Sequence, residues 1–200
     1  MNYQNYENHL FRDGYLDQYL RERMEELQTE VKQLNIAGLS DSDEETEVKK
    51  LLQKYSLQTP ILGEVKKVDA QETDIEVPSM LHDDETYTAK GLYVSVEVPF
   101  TGDAELFQLR ASTYSGSGVP TAMVHSDKLI LTYQTTEKDP EKIKQLWPNT
   151  LAEINKHLEW TKKDVLTFNQ HLTEEVSKLV VERARESGNN QSIIDQIKLG

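Results

Sequence analysis

The sequence contains no cysteine, which excludes a disulfide framework, thiolate metal ligation and a cysteine nucleophile. That fits a reducing cytoplasm, the expected location. No apolar run approaches the roughly 18–20 residues that span a bilayer, so neither a transmembrane helix nor a membrane partner is expected. The first twelve residues, MNYQNYENHLFR, lack the continuous apolar core of a secretory signal. Hydrophobic residues are also scarce, 36% of 200 with a mean hydropathy of -0.66. That is lean for one compact globule and suits an elongated, helix-rich chain.

Positive charge is the other shortage. Lys and Arg number 22 against 35 Asp and Glu, giving -13. Residues 1–60 carry 7 basic and 12 acidic groups, residues 61–138 carry 6 and 13, and residues 139–200 carry 9 and 10. A chain this acidic repels phosphate backbones, so direct nucleic-acid binding is not expected.

What remains reads as helix, sheet, helix. Leu16, Leu20, Met24, Leu27, Val31 and Leu34 form one apolar stripe over Gly14–Ile36, with Gly38 placed to end the helix. LSDSDEETEVKK opens with Ser and Asp suited to capping and continues as a shorter helix, with Val48, Leu51, Leu52 and Tyr55 inward and the acidic run Asp41–Glu47 at its start. From Ile61 to Thr136 the chain turns to Val, Tyr, Thr, Pro and Gly. Thr73–Val77, Leu92–Val98, Leu106–Arg110 and Lys128–Tyr133 are strand candidates, suggesting an antiparallel sheet of about four to six strands.

From Asp139 the helical pattern returns. Leu151, Ile154, Leu158, Val165, Phe168, Leu172, Val176 and Leu179 follow one seam, with Thr161 at the skipped position. Asp139-Pro140 is a good helix entry. Pro148 should kink or split the helix, and Ser187–Gln191 reads as a loop before the tail SIIDQIKLG. Even Asn149–Glu186 alone would reach about 57 Å at 1.5 Å per residue. The surplus must meet another helix, with Gly14–Ile36 the candidate, or a second copy of the chain. The expected class is α+β: a small antiparallel sheet flanked by N-terminal helices and one long C-terminal helix. Its segments are 1–59, 60–138 and 139–200, together one elongated domain. Leu158, Trp160, Val165, Phe168, Leu172 and Val176 are the candidate interface residues, and a homo-oligomer is the expected state.

Chemistry-bearing patterns are sparse. His9, His82, His125, His157 and His171 are scattered, with no pair on one helical turn, and each reads as a surface or boundary residue. His82-Asp83-Asp84-Glu85 could bind a cation but sits in a polar strand connection. Glu47-Val48-Lys49 and Glu64-Val65-Lys66 match half of a metal-dependent nuclease signature, without the strand-borne Asp such a site needs. Ser115-Gly116-Ser117-Gly118 is too short for a phosphate loop and reads as a turn. No catalytic, cofactor-binding or metal-binding residue emerges, and no cofactor is expected.

Two segments carry a resemblance. Pro99-Phe100, Gly102-Asp103, Glu105-Leu106-Phe107, Arg110 and Ser112-Thr113 lie in the first. Leu158-Glu159-Trp160, Asp164-Val165 and Phe168-Asn169 lie in the second. Together with the strand near Asp74–Val77 they resemble the N-terminal region of a family of bacterial restriction-endonuclease-like proteins linked to phage defence. Ala111 stands where that pattern has proline after the arginine, and Pro148 interrupts its long helix. In the family this region precedes a PD-(D/E)XK nuclease domain marked by Lys-Thr-Asp and a later Glu-Cys-Lys, neither of which occurs here. The resemblance therefore implies a non-catalytic recognition, regulatory or assembly module whose partner is a nuclease domain or another protein. The alternative is a self-associating helical scaffold unrelated to nucleases.

Overall fold

The computed structural model describes residues 8–34, 41–78, 86–114 and 118–199. The class is α+β, as the sequence implies, with a curled antiparallel sheet and a long C-terminal helix. Two compact units form, and neither is contiguous in sequence. One comprises residues 1–15 and 59–161, the other residues 16–58 and 162–200.

The first unit holds the sheet. Its strands are β1 (Asn8–His9), β2 (Gly14–Tyr15), β3 (Ile61–Leu62), β4 (Lys67–Pro78), β5 (Thr86–Thr101), β6 (Leu109–Arg110), β7 (Thr121–Val124) and β8 (Lys128–Thr135). Six of them make one antiparallel sheet in the order β1-β7-β8-β5-β3, with β4 also on β5. β2 and β6 form a separate parallel pair. Alternation in LYVSVEV works as its pattern implies: Val94, Val96 and Val98 are fully buried, joined by Leu129 and Leu131 from β8. Phe100, Phe107, Leu10, Phe11, Ile154 and Leu158 complete this core.

Leu106–Arg110 is not the continuous strand its apolar content suggests. Ala104–Phe107 is a turn of 3-10 helix, and only Leu109–Arg110 is strand. Leu106 and Phe107 are adjacent and both fully buried, which a period of two cannot achieve. Gly102, at φ 97°, turns the chain into this segment, a conformation that favours glycine.

The second unit is helical. α1 (Leu16–Gln33) buries Leu16, Leu27 and Val31 from the expected stripe. α2 (Asp41–Tyr55) buries Leu51 and Tyr55. The Arg23 guanidinium closes the end of α2 by donating from Nε to the Tyr55 carbonyl (2.9 Å) and from Nη2 to that of Lys54 (2.8 Å). Beyond it, Asn169 accepts from the Leu57 N–H (3.1 Å) and donates to the Leu57 carbonyl (2.8 Å).

α3 (Pro140–Ile143) begins at Asp139, whose side chain accepts from the Glu141 N–H. α4 then runs unbroken from Leu146 to Leu199, 54 residues or about 80 Å. Pro148 does not interrupt α4 itself; it splits the helical run that begins at Pro140 just upstream. It occupies the first turn, where an amide has no partner in the helix, and its ring crowds the carbonyl of residue 144. The break accordingly falls at residues 144–145, between α3 and α4. Ser187–Gln191 is helical rather than a loop. The unfavourable Gly188 and the asparagines cost only about 0.5–1 kcal/mol each, while Ser187 is buried and Arg183 Nε donates to the Leu34 carbonyl (3.1 Å).

Candidate functional site

Leu158 lies in the core of the first unit, where Ile154 of the preceding turn joins it. Val165, Phe168, Leu172 and Val176 are buried in the second unit, as is Val180. The seam is thus covered within one chain, and its need for burial no longer calls for a second copy. Trp160, off the seam, is half-buried. Its ring meets His157 edge-on at 4.9 Å and Tyr114 at 6.3 Å, with Lys156 Nζ 5.4 Å from its centroid.

His157 is the centre of the most distinctive constellation. It is 2% exposed, not a surface or boundary residue. Phe11 stacks on its ring at 4.7 Å and 6° from parallel, and Tyr114 lies 5.5 Å away. Phe107 contacts Phe11 at 6.1 Å and Phe100 at 4.8 Å, so six rings form one continuous network. Arg110 extends it: its guanidinium lies 4.7 Å from the Tyr114 ring and 5.5 Å from that of Tyr15.

This network is held under strain. Phe11 has φ 57°, the left-handed region that a bulky side chain rarely enters. Such a conformation costs on the order of 1–3 kcal/mol and persists only where the surroundings over-determine it. Here three backbone bonds do so: Leu10 N–H to Pro120 (2.9 Å), Phe11 N–H to Phe107 (2.6 Å) and Asp13 N–H to Gln108 (3.0 Å).

The polar atoms beneath are incompletely satisfied. Glu153, His157 and Thr161 follow at i, i+4 and i+8, one row along α4. Among the described residues, Glu153 Oε2, His157 Nε2 and Thr161 Oγ1 are each buried with no hydrogen-bond partner, although Lys156 Nζ lies 3.8 Å from Glu153 Oε2. The His157 ring does donate to the Gly118 carbonyl, which leaves Nδ1 as the donor and Nε2 bare. Desolvation holds the His157 pKa below its ordinary value, outweighing the Gly118 bond and the nearby Glu153, which favour the cation. Burial thus favours the neutral imidazole, and among the described residues Nε2 has no acceptor for a second N–H.

A pH dependence follows. The unfolded chain takes up a proton at His157 near pH 6.5, whereas the folded chain resists it until lower pH. The contribution to stability is therefore complete above about pH 6.5 and is lost as pH falls through the depressed folded value. Thermal melts between pH 5 and 7.5 should show stability rising with pH, by at most about 1.4 kcal/mol per unit from this group. His157→Phe should flatten that rise; an unchanged slope would mean that His157 does not titrate in this window.

Among the described residues, each unit also carries a surface hollow. One, of about 320 Å³ in the first unit, is lined by Val119, Thr121, Thr132, Tyr133, Thr150 and Glu153. The Tyr133 hydroxyl donates to Thr150 Oγ1 there (3.0 Å). The other, of about 740 Å³ in the second unit, is walled by Glu22, Glu25, Glu26, Glu30, Lys54 and Tyr55. Hydrogen bonds from Lys54 and then Tyr55 hold Glu30 below the usual carboxylate range.

The two Glu-x-Lys triplets do not build a metal centre. Glu47 and Lys49 lie on α2, where Glu47 pairs with Lys50 at 3.0 Å. Glu64 is exposed in the connection between β3 and β4. Among the described residues, no three metal-ligating side chains converge. His82-Asp83-Asp84-Glu85 and Ser115–Ser117 lie outside the described residues.

Of the row Glu153-His157-Thr161, the sequence pattern places Thr161 on the seam and leaves His157 as a surface or boundary position. What concealed its burial is that Phe11 and Tyr114, which cover His157, come from remote segments. No family model, curated protein or solved structure matches the chain.

Proposed function

We propose that this chain is a non-catalytic recognition and assembly module of a bacterial nuclease-type defence protein or complex. The nuclease connection rests on the sequence resemblance alone. The observation that carries the non-catalytic reading is where the resembling residues go. Phe100 and Phe107 meet edge-on at 4.8 Å, Arg110 stacks on Tyr114, Tyr114 reaches Trp160, and Leu158 lies in the same core. The shared pattern thus encodes packing around an aromatic centre, and the module acts through the surfaces that this centre holds in place.

The test is incubation of the purified chain with plasmid and single-stranded substrates, with Mg²⁺ or Mn²⁺, at low and moderate salt. No metal-dependent cleavage is expected. A PD-(D/E)XK site requires strand-borne carboxylates converging on the metal with a lysine close by, and the acidic surface slows encounter with nucleic acid as salt is lowered. Cleavage abolished by Glu64→Ala or Lys66→Ala would make the chain itself the enzyme and end this reading.

A further inference from the structure

β4 is unlike every other strand in the sheet. It pairs with β5 along all twelve of its residues, from Lys67↔Glu97 to Pro78↔Thr86. β8 covers β5 on its other side only from Leu92 to Pro99. Thr73–Pro78 and Thr86–Gly91 therefore continue past the sheet as a two-stranded ribbon, about 20 Å long at 3.3 Å per residue. Among the described residues no strand pairs with the outer edge of β4. A long open edge presents every second N–H and carbonyl unpaired, ready to accept another strand.

We propose that the outer edge of β4 is a docking site for an extended, lysine- or arginine-bearing segment of another protein, added to the sheet as a further strand. This deepens the reading as a recognition module by naming the surface and the chemistry of its partner. Three observations carry it.

The first is exposure: nine of the twelve residues of β4 are open to solvent on the strand, Thr73 and Val77 are partly covered, and only Ile75 is buried. The second is apolar content along the β4–β5 pair. Val68 and Tyr87 are 46% and 55% exposed, enough to give an added strand side-chain contacts as well as backbone bonds.

The third is charge, and it selects the occupant. β4 carries Asp69, Glu72, Asp74 and Glu76 against Lys67 alone. Glu72, Asp74 and Glu76 alternate and so share one face, where Lys90 opposite Asp74 makes an ion pair at 2.6 Å. Lys67 pairs with Asp69 at 3.6 Å. Lys90 also feels the charge of Glu72, but among the described residues neither Glu72 nor Glu76 has a cation within 4.0 Å. A second copy of the chain would bring a like set of four carboxylates against these, which disfavours edge-to-edge self-pairing. A strand with basic side chains at alternate positions would meet them with opposite charge.

The experiment uses the full chain, labelled for NMR, and a ten-residue peptide alternating Lys with Val and Thr. Its glutamate counterpart and a version with alternate Pro serve as controls. Binding of the Lys peptide should shift the amide signals of β4 and slow their hydrogen exchange, while the Pro version, which cannot form the ladder, should not. The double variant Glu72→Lys/Glu76→Lys changes two exposed side chains and should weaken the Lys peptide by roughly tenfold while improving the Glu peptide. Three results would overturn the proposal: no binding at millimolar peptide, equal binding of the Pro version, or shifts confined to the acidic groove at Glu22–Glu30. Dimerisation of the free chain through β4 would replace the proposed occupant with a second copy. None of these results bears on the nuclease assay above, so the two readings fail separately.

Discussion

Leu172→Asp should leave the second unit unable to fold, rather than release folded monomers from an assembly. Leu172 is fully buried within a single chain, beside Val165, Phe168 and Val176 in the same pattern. Truncating a buried leucine costs about 2–5 kcal/mol, and an unpaired carboxylate in its place adds several more. That sum rivals the roughly 5–15 kcal/mol that stabilises an ordinary domain. Val165→Asp should behave alike, since Val165 is only 2% exposed. Circular dichroism melts with light scattering would decide it. The expected result is loss of the cooperative transition and of helix signal, with aggregation. A variant that kept the wild-type melt but halved the mass would return the seam to an intermolecular role.

Gly91→Ala should cost about 1–3 kcal/mol through overpacking, far more than an exposed strand glycine would suggest. A Cβ at residue 91 would run into Ile75 Cδ1 and lie 2.7 Å from the Thr135 carbonyl oxygen. Ile75 can be trimmed, but the Thr135 carbonyl belongs to the β8 backbone and cannot move without disturbing the ladder. Ile75→Ala in the Gly91→Ala background should therefore recover only part of the loss. Denaturant melts of the two single variants and the double variant would measure that coupling. Full recovery would show that the side chain alone makes the close approach. A cost below about 0.5 kcal/mol would remove position 91 as a constraint on the sheet. Gly91 pairs with Thr73 where the ribbon leaves the sheet, so the same variant should also shift the β4 amides.

The parts of the fold legible in the sequence are those fixed by near neighbours. The stripe of α1, the alternation in β5 and the Asp139-Pro140 entry each depend on spacing within a few residues, and each appears where its pattern implies. The structure departs from the local pattern where distant segments decide the outcome. Ser187–Gln191 looks like a loop by composition, yet tertiary contacts at Ser187 and Arg183 keep it helical. Leu106-Phe107 looks like strand, but both side chains enter one core from a 3-10 turn. His157 looks like an ordinary surface residue of a long helix until Phe11, 146 positions earlier in the chain, closes over it. Length, too, was only partly readable: TDIEV announces a strand, but the reach of β4 beyond the sheet depends on its partner. Leu158, Val165, Phe168, Leu172 and Val176, the apolar members of the candidate interface, are buried within the chain. Periodicity cannot say whether the covering surface belongs to the same chain.

The interleaving of the two units has a consequence for synthesis. α1 and α2 leave the ribosome early, yet the stretch of α4 that completes their unit starts at residue 162. At about 5–20 residues per second, the gap from residue 58 to residue 162 lasts roughly 5–20 s. Throughout that interval Leu27, Val31 and Leu51 lack the α4 residues buried in the same unit. β1 waits as well, because its partner β7 lies more than a hundred residues downstream. Neither unit can form as the chain emerges, from one end to the other. Nascent chains arrested near residue 150 should therefore bind hydrophobic-surface chaperones more strongly than the finished protein does, and protease resistance in the 16–58 segment should appear only after α4 is released.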